Sequence, residues 1–327
     1  MEGTVRIASN INFLGNSENL FESKSYGNSY GNAKNIHAIS FGADVFTDKY
    51  GFRIEKEHLT IEPSEYKETV LVMGDSVSFG TGVEFTETFL GLLSAEKPSL
   101  LVHNSSVIGY NVNDYKNFSQ EFLSSYDDRI NSAFLIYCLN DLIAVSAANI
   151  NEAVSTNKDT AISTSLTSDK EDLVTKLKKI RIINYVNSLL RSHSKLYLLI
   201  KGIVTDPQMR YWKNDLATYK TLNDSKSYEG LESLNDVNDL FKKKNIPLTI
   251  IIMPYEYQVR VDNVDTNLPQ NILKNYFESQ NINYIDALPS FRNANIKSSE
   301  LFLSYDPMHL SKQGHKLLHS IISKNVN

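Results

Sequence analysis

The chain has 327 residues, of which 41% are hydrophobic and 22% charged, so it can bury a substantial core as one large domain or two smaller ones. A net charge of −5 and scattered basic residues speak against a nucleic-acid-binding face; the short cluster Lys176 to Arg181 falls in a helical pattern and reads as a solvated face. The single cysteine, Cys138, excludes an intramolecular disulfide and a cysteine-based zinc site, and no apolar run approaches the ~20 residues that span a bilayer.

Residues 1–65 are rich in Asn, Ser and Gly and are expected to form an N-terminal extension packed on the main domain, with Ala38 to Phe46 and Tyr50 to Ile54 as its strands. The main domain is expected over 66–327. Val70, Leu71, Val72 and Met73 make a short apolar run that Gly74 cuts, the pattern of a buried strand ending in a tight turn. Asp75 and Ser76 stand on that turn. A helix is predicted around Thr86 to Lys97, with Phe89, Leu90 and Leu93 on one face and Pro98 as its stop. Strand Leu100 to Asn104, helix Val112 to Ser125 and strand Ser132 to Leu139 follow. Strands separated by helices of this length predict a three-layer α/β/α sandwich with a parallel central sheet.

Over 142–228 the rhythm breaks, and a mainly helical insertion is expected. A polar stretch, Asn149 to Ser168, precedes a helical pattern from Lys170 to Ile200; such an insertion serves as a lid, a specificity element or a buttress. The alternation then resumes with helix Gly230 to Lys244, strand Pro247 to Met253, helix Leu268 to Gln280 and a short strand at Tyr284 to Ile285. Ser311 caps a final helix that buries Leu317, Leu318, Ile321 and Ile322.

Gly80-Thr81-Gly82 supplies only half of a dinucleotide fingerprint, and no lysine follows for a phosphate loop, so no nucleotide site is expected. Open α/β sheets bind ligands at the carboxyl edge, where Ser76 can stand as an exposed nucleophile although G-x-S-x-G is absent. Four strand ends or late loops carry suitable polar groups: Ser76, Gly109, Asn140-Asp141 and Asp306-Pro307-Met308-His309. In this order the blocks resemble the SGNH (GDSL-like) hydrolase superfamily, from about Thr69 to the end outside the insertion. Cys138 stands where that family often has glycine. The resemblance implies a flavodoxin-like sheet and points toward carbohydrate O-acetyl esterases and O-acyltransferases.

A serine hydroxyl is a weak nucleophile and needs a base. His309 can take its proton and return it to the leaving alcohol, while Asp306 binds the other imidazole nitrogen. The resemblance assigns the oxyanion hole to the backbone N–H groups of Ser76 and Gly109 and the side-chain amide of Asn140. Tyr255 and Glu256 follow the fourth strand of the alternating pattern and are candidates for substrate binding. His315 and His319 have metal-ligand spacing, yet H-K-L-L-H lacks the zinc-protease glutamate, so neither a metal nor a cofactor is expected. His37, His58, His103 and His193 are isolated and read as structural.

The function expected is a serine esterase acting on small O-acyl esters, O-acetyl groups on a carbohydrate by family analogy. An O-acetyltransferase that passes the acyl group to a polysaccharide hydroxyl is the alternative, and a non-catalytic glycan-binding module the third reading. No leader is visible: the periplasm or cell surface is expected if a leader or anchor was trimmed, and the cytoplasm otherwise. The sequence leaves the oligomeric state open.

Overall fold

The computed structural model describes residues 15–56, 66–126, 129–142, 190, 194–225, 228 and 230–326. Ten strands are named there in chain order: β1 Phe21–Tyr26, β2 Ser29–Asn32, β3 His37–Ser40, β4 Ala43–Thr47, β5 Arg53–Ile54, β6 Glu68–Gly74, β7 Leu100–Asn104, β8 Ser132–Tyr137, β9 Leu248–Ile252 and β10 Tyr284–Asp286. β1 and β2 form a hairpin by themselves, and the other eight make one sheet in the order β10-β9-β8-β6-β7-β5-β4-β3.

The five strands from β10 to β7 are parallel. The inner ones are buried almost throughout, which is why they read in sequence as unbroken apolar runs rather than alternating ones. Counted among themselves in chain order, they run 2-1-3-4-5. The chain steps one way from β6 to β7, then back across β6 to β8. Right-handed crossovers in opposite directions put the connecting helices on opposite faces. Accordingly, helix Phe89–Glu96 packs on Lys312–Ile322, and helix Val112–Ser125 packs on Glu232–Lys243. The result is an α/β/α sandwich, with the reversal of strand order at the carboxyl end of β6, where such sheets open a crevice.

The sheet is mixed rather than wholly parallel. β5 pairs antiparallel with β7, and β4 and β3 follow antiparallel. Short loops connect β3 to β4 and β4 to β5, and a tight loop can only reverse the chain, whereas a parallel partner needs a long crossover. Strands of the N-terminal extension thus add to one edge of the central sheet.

Arg53 carries this junction. It is 0% exposed, and its guanidinium donates to the carbonyls of Phe79, Gly80 and Val83 at 2.8, 2.7 and 2.7 Å and to that of Asp44 at 3.2 Å. Burial pushes its pKa down to about 10, so it stays charged at neutral pH. An N-terminal strand thus holds the segment that follows Ser76. Arg53→Met would remove a donor from three buried carbonyls, each costing ~1–3 kcal/mol when orphaned, and from the partly buried carbonyl of Asp44. After partial relief by water, a net loss of about 3 kcal/mol and a fall of roughly 5–10 °C in melting temperature are expected. An unchanged melt would contradict this role.

Of the insertion, helices Lys195–Thr205 and Pro207–Ser225 are described. The second buries Trp212, Leu216, Tyr219 and Leu222 against the main core. The stretch Asn149 to Ser168 and most of the pattern Lys170 to Ile200, with its basic cluster, lie outside the described residues, as do His58 and His193. Among the described residues, no helix is long and apolar enough to cross a membrane.

Candidate active site

β6 ends at Gly74, and the chain turns at once into a short helix, Ser76–Phe79. A Cβ at Gly74 would sit 2.2 Å from Ser78 Oγ and 2.7 Å from the Ile136 carbonyl, so only glycine fits this close approach. Asp75 caps the helix: its Oδ1 accepts from the Val77 N–H at 2.8 Å. This turn delivers Ser76 to the carboxyl edge of the central strand.

The partner of Ser76 arrives from 233 residues away. Ser76 Oγ lies 2.8 Å from His309 Nε2, and His309 Nδ1 lies 2.7 Å from Asp306 Oδ2. The second oxygen of Asp306 accepts from the backbone N–H groups of Met308 and His309 at 2.9 and 2.8 Å, which locks the carboxylate in plane. An ionised Asp306 can only accept, so Nδ1 carries the imidazole proton and Nε2 is free to accept from the serine. The loop is anchored on both sides: the Glu256 N–H donates to the Pro307 carbonyl at 2.8 Å, and Leu303 N–H to the His309 carbonyl at 2.9 Å.

Electrostatics follow from this line. Burial works to lower the pKa of His309, but the charge and hydrogen bond of Asp306, with the charge of Asp75, hold it above its ordinary value. Burial works to raise that of Asp306, but the His309 charge and the hydrogen bonds it accepts hold it below its ordinary value. The hydroxyl can therefore pass its proton to the imidazole while the Asp306 carboxylate stays ionised, and the serine oxygen can act as a nucleophile.

Gly109 and Asn140 follow β7 and β8, the two strands that flank β6. The loop after β7 is tied to the nucleophile turn by the Val107 N–H to the Gly74 carbonyl at 3.0 Å and by Ser78 Oγ to Ser106 Oγ at 2.7 Å. Gly109 has φ +84°, and a Cβ there would meet the Tyr30 hydroxyl at 2.7 Å. That hydroxyl donates to the Ile108 carbonyl at 2.7 Å, so the N-terminal hairpin fixes this loop as well. Asn140 lies on a 3-10 turn, Leu139–Leu142. Asp141 organises that turn: its Oδ2 accepts from the Cys138 N–H at 2.8 Å and from the Tyr115 hydroxyl at 2.7 Å. Cys138 itself is buried.

Tyr255 and Glu256, expected to bind substrate, are instead 0% and 3% exposed and engaged by protein groups. Glu256 accepts from Ser298 Oγ at 2.7 Å and from Arg260 Nε at 3.2 Å. Tyr255 Oη lies 2.5 Å from Asp215 Oδ2 and 3.3 Å from Asn140 Oδ1. His315 is buried and stacked on Phe89, while His319 Nε2 lies 2.7 Å from Glu96.

Two neighbours of the site were not anticipated. Phe41, at the β3–β4 turn with φ +47°, meets the His309 ring edge-on at 5.5 Å. It stands inside the stretch Ala38 to Phe46 that reads as a strand, and nothing local marks it as a neighbour of His309. Asp215 did carry a signal: it falls between Trp212 and Tyr219, at i+3 and i−4, inside an otherwise apolar helical stripe.

No family model and no curated protein matches the chain. Solved structures similar to it include an acetyl xylan esterase (15% identity, TM-score 0.44, covering 79% of this chain and 100% of that one). A member of the lipolytic G-D-S-L family from Veillonella parvula shares 14% identity at TM-score 0.42, over 80% of this chain and 98% of that one. A lipase/acylhydrolase from Enterococcus faecalis shares 12% at TM-score 0.42, over 80% and 95%. Likenesses this distant carry no weight on activity, which has to come from the geometry of the site.

Proposed function

We propose that the protein is a serine esterase of the SGNH type that hydrolyses small O-acyl esters through an acyl-enzyme on Ser76. The single observation that carries this reading is the line Ser76–His309–Asp306, with contacts of 2.8 and 2.7 Å at the switch point of the sheet. Ser76 Oγ attacks the ester carbonyl while its proton passes to His309 Nε2. The carbonyl oxygen becomes an oxyanion, for which the Ser76 and Gly109 N–H groups and the Asn140 amide are the proposed donors. Collapse breaks the carbon–oxygen bond to the alcohol, which leaves with the proton from His309. A water, deprotonated by the same imidazole, then releases the acid and restores Ser76. Asp306 stays ionised throughout and stabilises the imidazolium.

The substrate class, O-acetyl groups on a carbohydrate, follows the resemblance of the four sequence blocks. An O-acetyltransferase would use the same acyl-enzyme with a sugar hydroxyl in place of the water. Incubation with p-nitrophenyl acetate, alone and with a panel of neutral oligosaccharides, separates the two. Release of phenol with an equal yield of free acetate is the expected result. Acetylated sugar at the expense of acetate would identify a transferase, and no phenol release would contradict the acyl-enzyme.

A further inference from the structure

Tyr255 is 0% exposed, with its ring edge against Trp212 at 6.3 Å, so its hydroxyl is held in one place. Two groups face that hydroxyl: Asp215 from helix Pro207–Ser225 and Asn140 from the turn after β8.

A phenol has one proton for these two neighbours. Asp215 Oδ2, at 2.5 Å, is the nearer and carries the stronger pull as a carboxylate. Burial raises Asp215 to about 6, which still leaves it ionised at neutral pH. The phenol proton therefore lies toward Asp215, and a phenol lone pair faces Asn140. An amide oxygen in that place would set two acceptors against each other at 3.3 Å. Turning the amide over exchanges Oδ1 and Nδ2 within the same volume and converts the repulsion into a donation from Nδ2.

We propose that Tyr255, with its proton held by Asp215, is the positioning residue for Asn140: its oxygen takes one N–H of the amide and leaves the other N–H directed to the oxyanion. This rests on the oxyanion role proposed above for Asn140. It assigns a task to the insertion, since Asp215 is the group that dictates which way the phenol proton points. Without that carboxylate, Tyr255 could equally donate to the amide oxygen, and the orientation of the amide would no longer be fixed.

The test has two readouts. In kinetics, Tyr255→Phe should lower kcat roughly tenfold, the size of one net hydrogen bond, with KM little changed. In an Asn140→Ala background, itself ~10²–10³ below wild type, the same substitution should cost nothing further, because Tyr255 acts only through that amide. Asp215→Ala should lose a similar factor to Tyr255→Phe, and Asp215→Asn, whose amide oxygen still accepts the phenol proton, should restore most of it. If Tyr255→Phe fails to fold, the pair at Asp215 decides the matter with Tyr255 intact.

The second readout is independent of activity. The side-chain amide signals of Asn140 in a ¹⁵N spectrum, identified by their loss in Asn140→Ala, should shift in Tyr255→Phe and Asp215→Ala but stay near their wild-type positions in Asp215→Asn. Unmoved signals in all three variants, or a Tyr255→Phe loss that persists in full on the Asn140→Ala background, would overturn the proposal. Failure of the esterase reading looks different: Ser76→Ala would match wild type while the Asn140 signals still respond to Tyr255.

Discussion

Ser76→Ala will remove turnover of activated esters, by a factor on the order of 10⁶ where loss of the nucleophile disables an acyl-enzyme mechanism. No other hydroxyl replaces it, because His309 Nε2 is directed at Ser76 Oγ, at 2.8 Å, and Nδ1 is committed to Asp306. The fold should be indifferent. Among the described residues the hydroxyl hydrogen-bonds only to His309 and, at 3.3 Å, to Asp75, and the helix cap belongs to Asp75. A thermal melt close to wild type together with lost turnover is the expected pair of results. Retained turnover in the alanine variant would remove Ser76 from the mechanism. Arg53→Met should behave in the opposite way, losing stability first and activity only as a consequence.

Asp306→Asn should be nearly as damaging, at ~10⁴ in kcat, although it changes only one atom. The amide oxygen can replace Oδ1 as acceptor for the Met308 and His309 N–H groups, so the loop keeps its shape. The amide nitrogen then occupies the place of Oδ2 and donates to His309 Nδ1. That forces the imidazole proton onto Nε2, which can no longer accept from Ser76. The pH profile checks this. The working base is neutral imidazole, and Asp306 holds its pKa above the ordinary 6.5 against the lowering effect of burial. Wild-type kcat/KM should therefore rise with pH through an inflection above 6.5. Removing the Asp306 charge leaves burial the larger influence, so the residual activity of Asp306→Asn should inflect at lower pH. An inflection that stays in place would mean that Asp306 does not set the charge on His309.

The parallel half of the fold was legible because burial on both faces writes itself into sequence as unbroken apolar runs. Val70 to Met73, Phe134 to Tyr137 and Ile250 to Ile252 each read as a strand, and each is one. The ends of those strands carry the polar groups for the same reason: the sheet delivers whatever follows a strand to its carboxyl edge. Proximity of Ser76 to His309 was legible only through the resemblance, because no local rule brings together residues 233 apart.

What was missed has physical causes too. β5 has two residues, one of them a charged arginine, and nothing local says that its side chain turns inward to four carbonyls. The helix Pro207–Ser225 is polar on most of its surface, and only the spacing of Trp212, Leu216, Tyr219 and Leu222 betrays the buried stripe. Tyr255 looked like a substrate contact because its position at the sheet edge is right. The insertion covers that position, and a helix from far along the chain cannot be read from the residues it covers.

The most direct measurement is mass spectrometry of the protein after reaction with a serine-directed fluorophosphonate. One adduct is expected, on the peptide that contains Ser76, formed in wild type, suppressed by excess ester and absent from both Ser76→Ala and His309→Ala. Labelling of another serine, or none at Ser76 in the folded wild-type protein, would contradict Ser76 as the nucleophile.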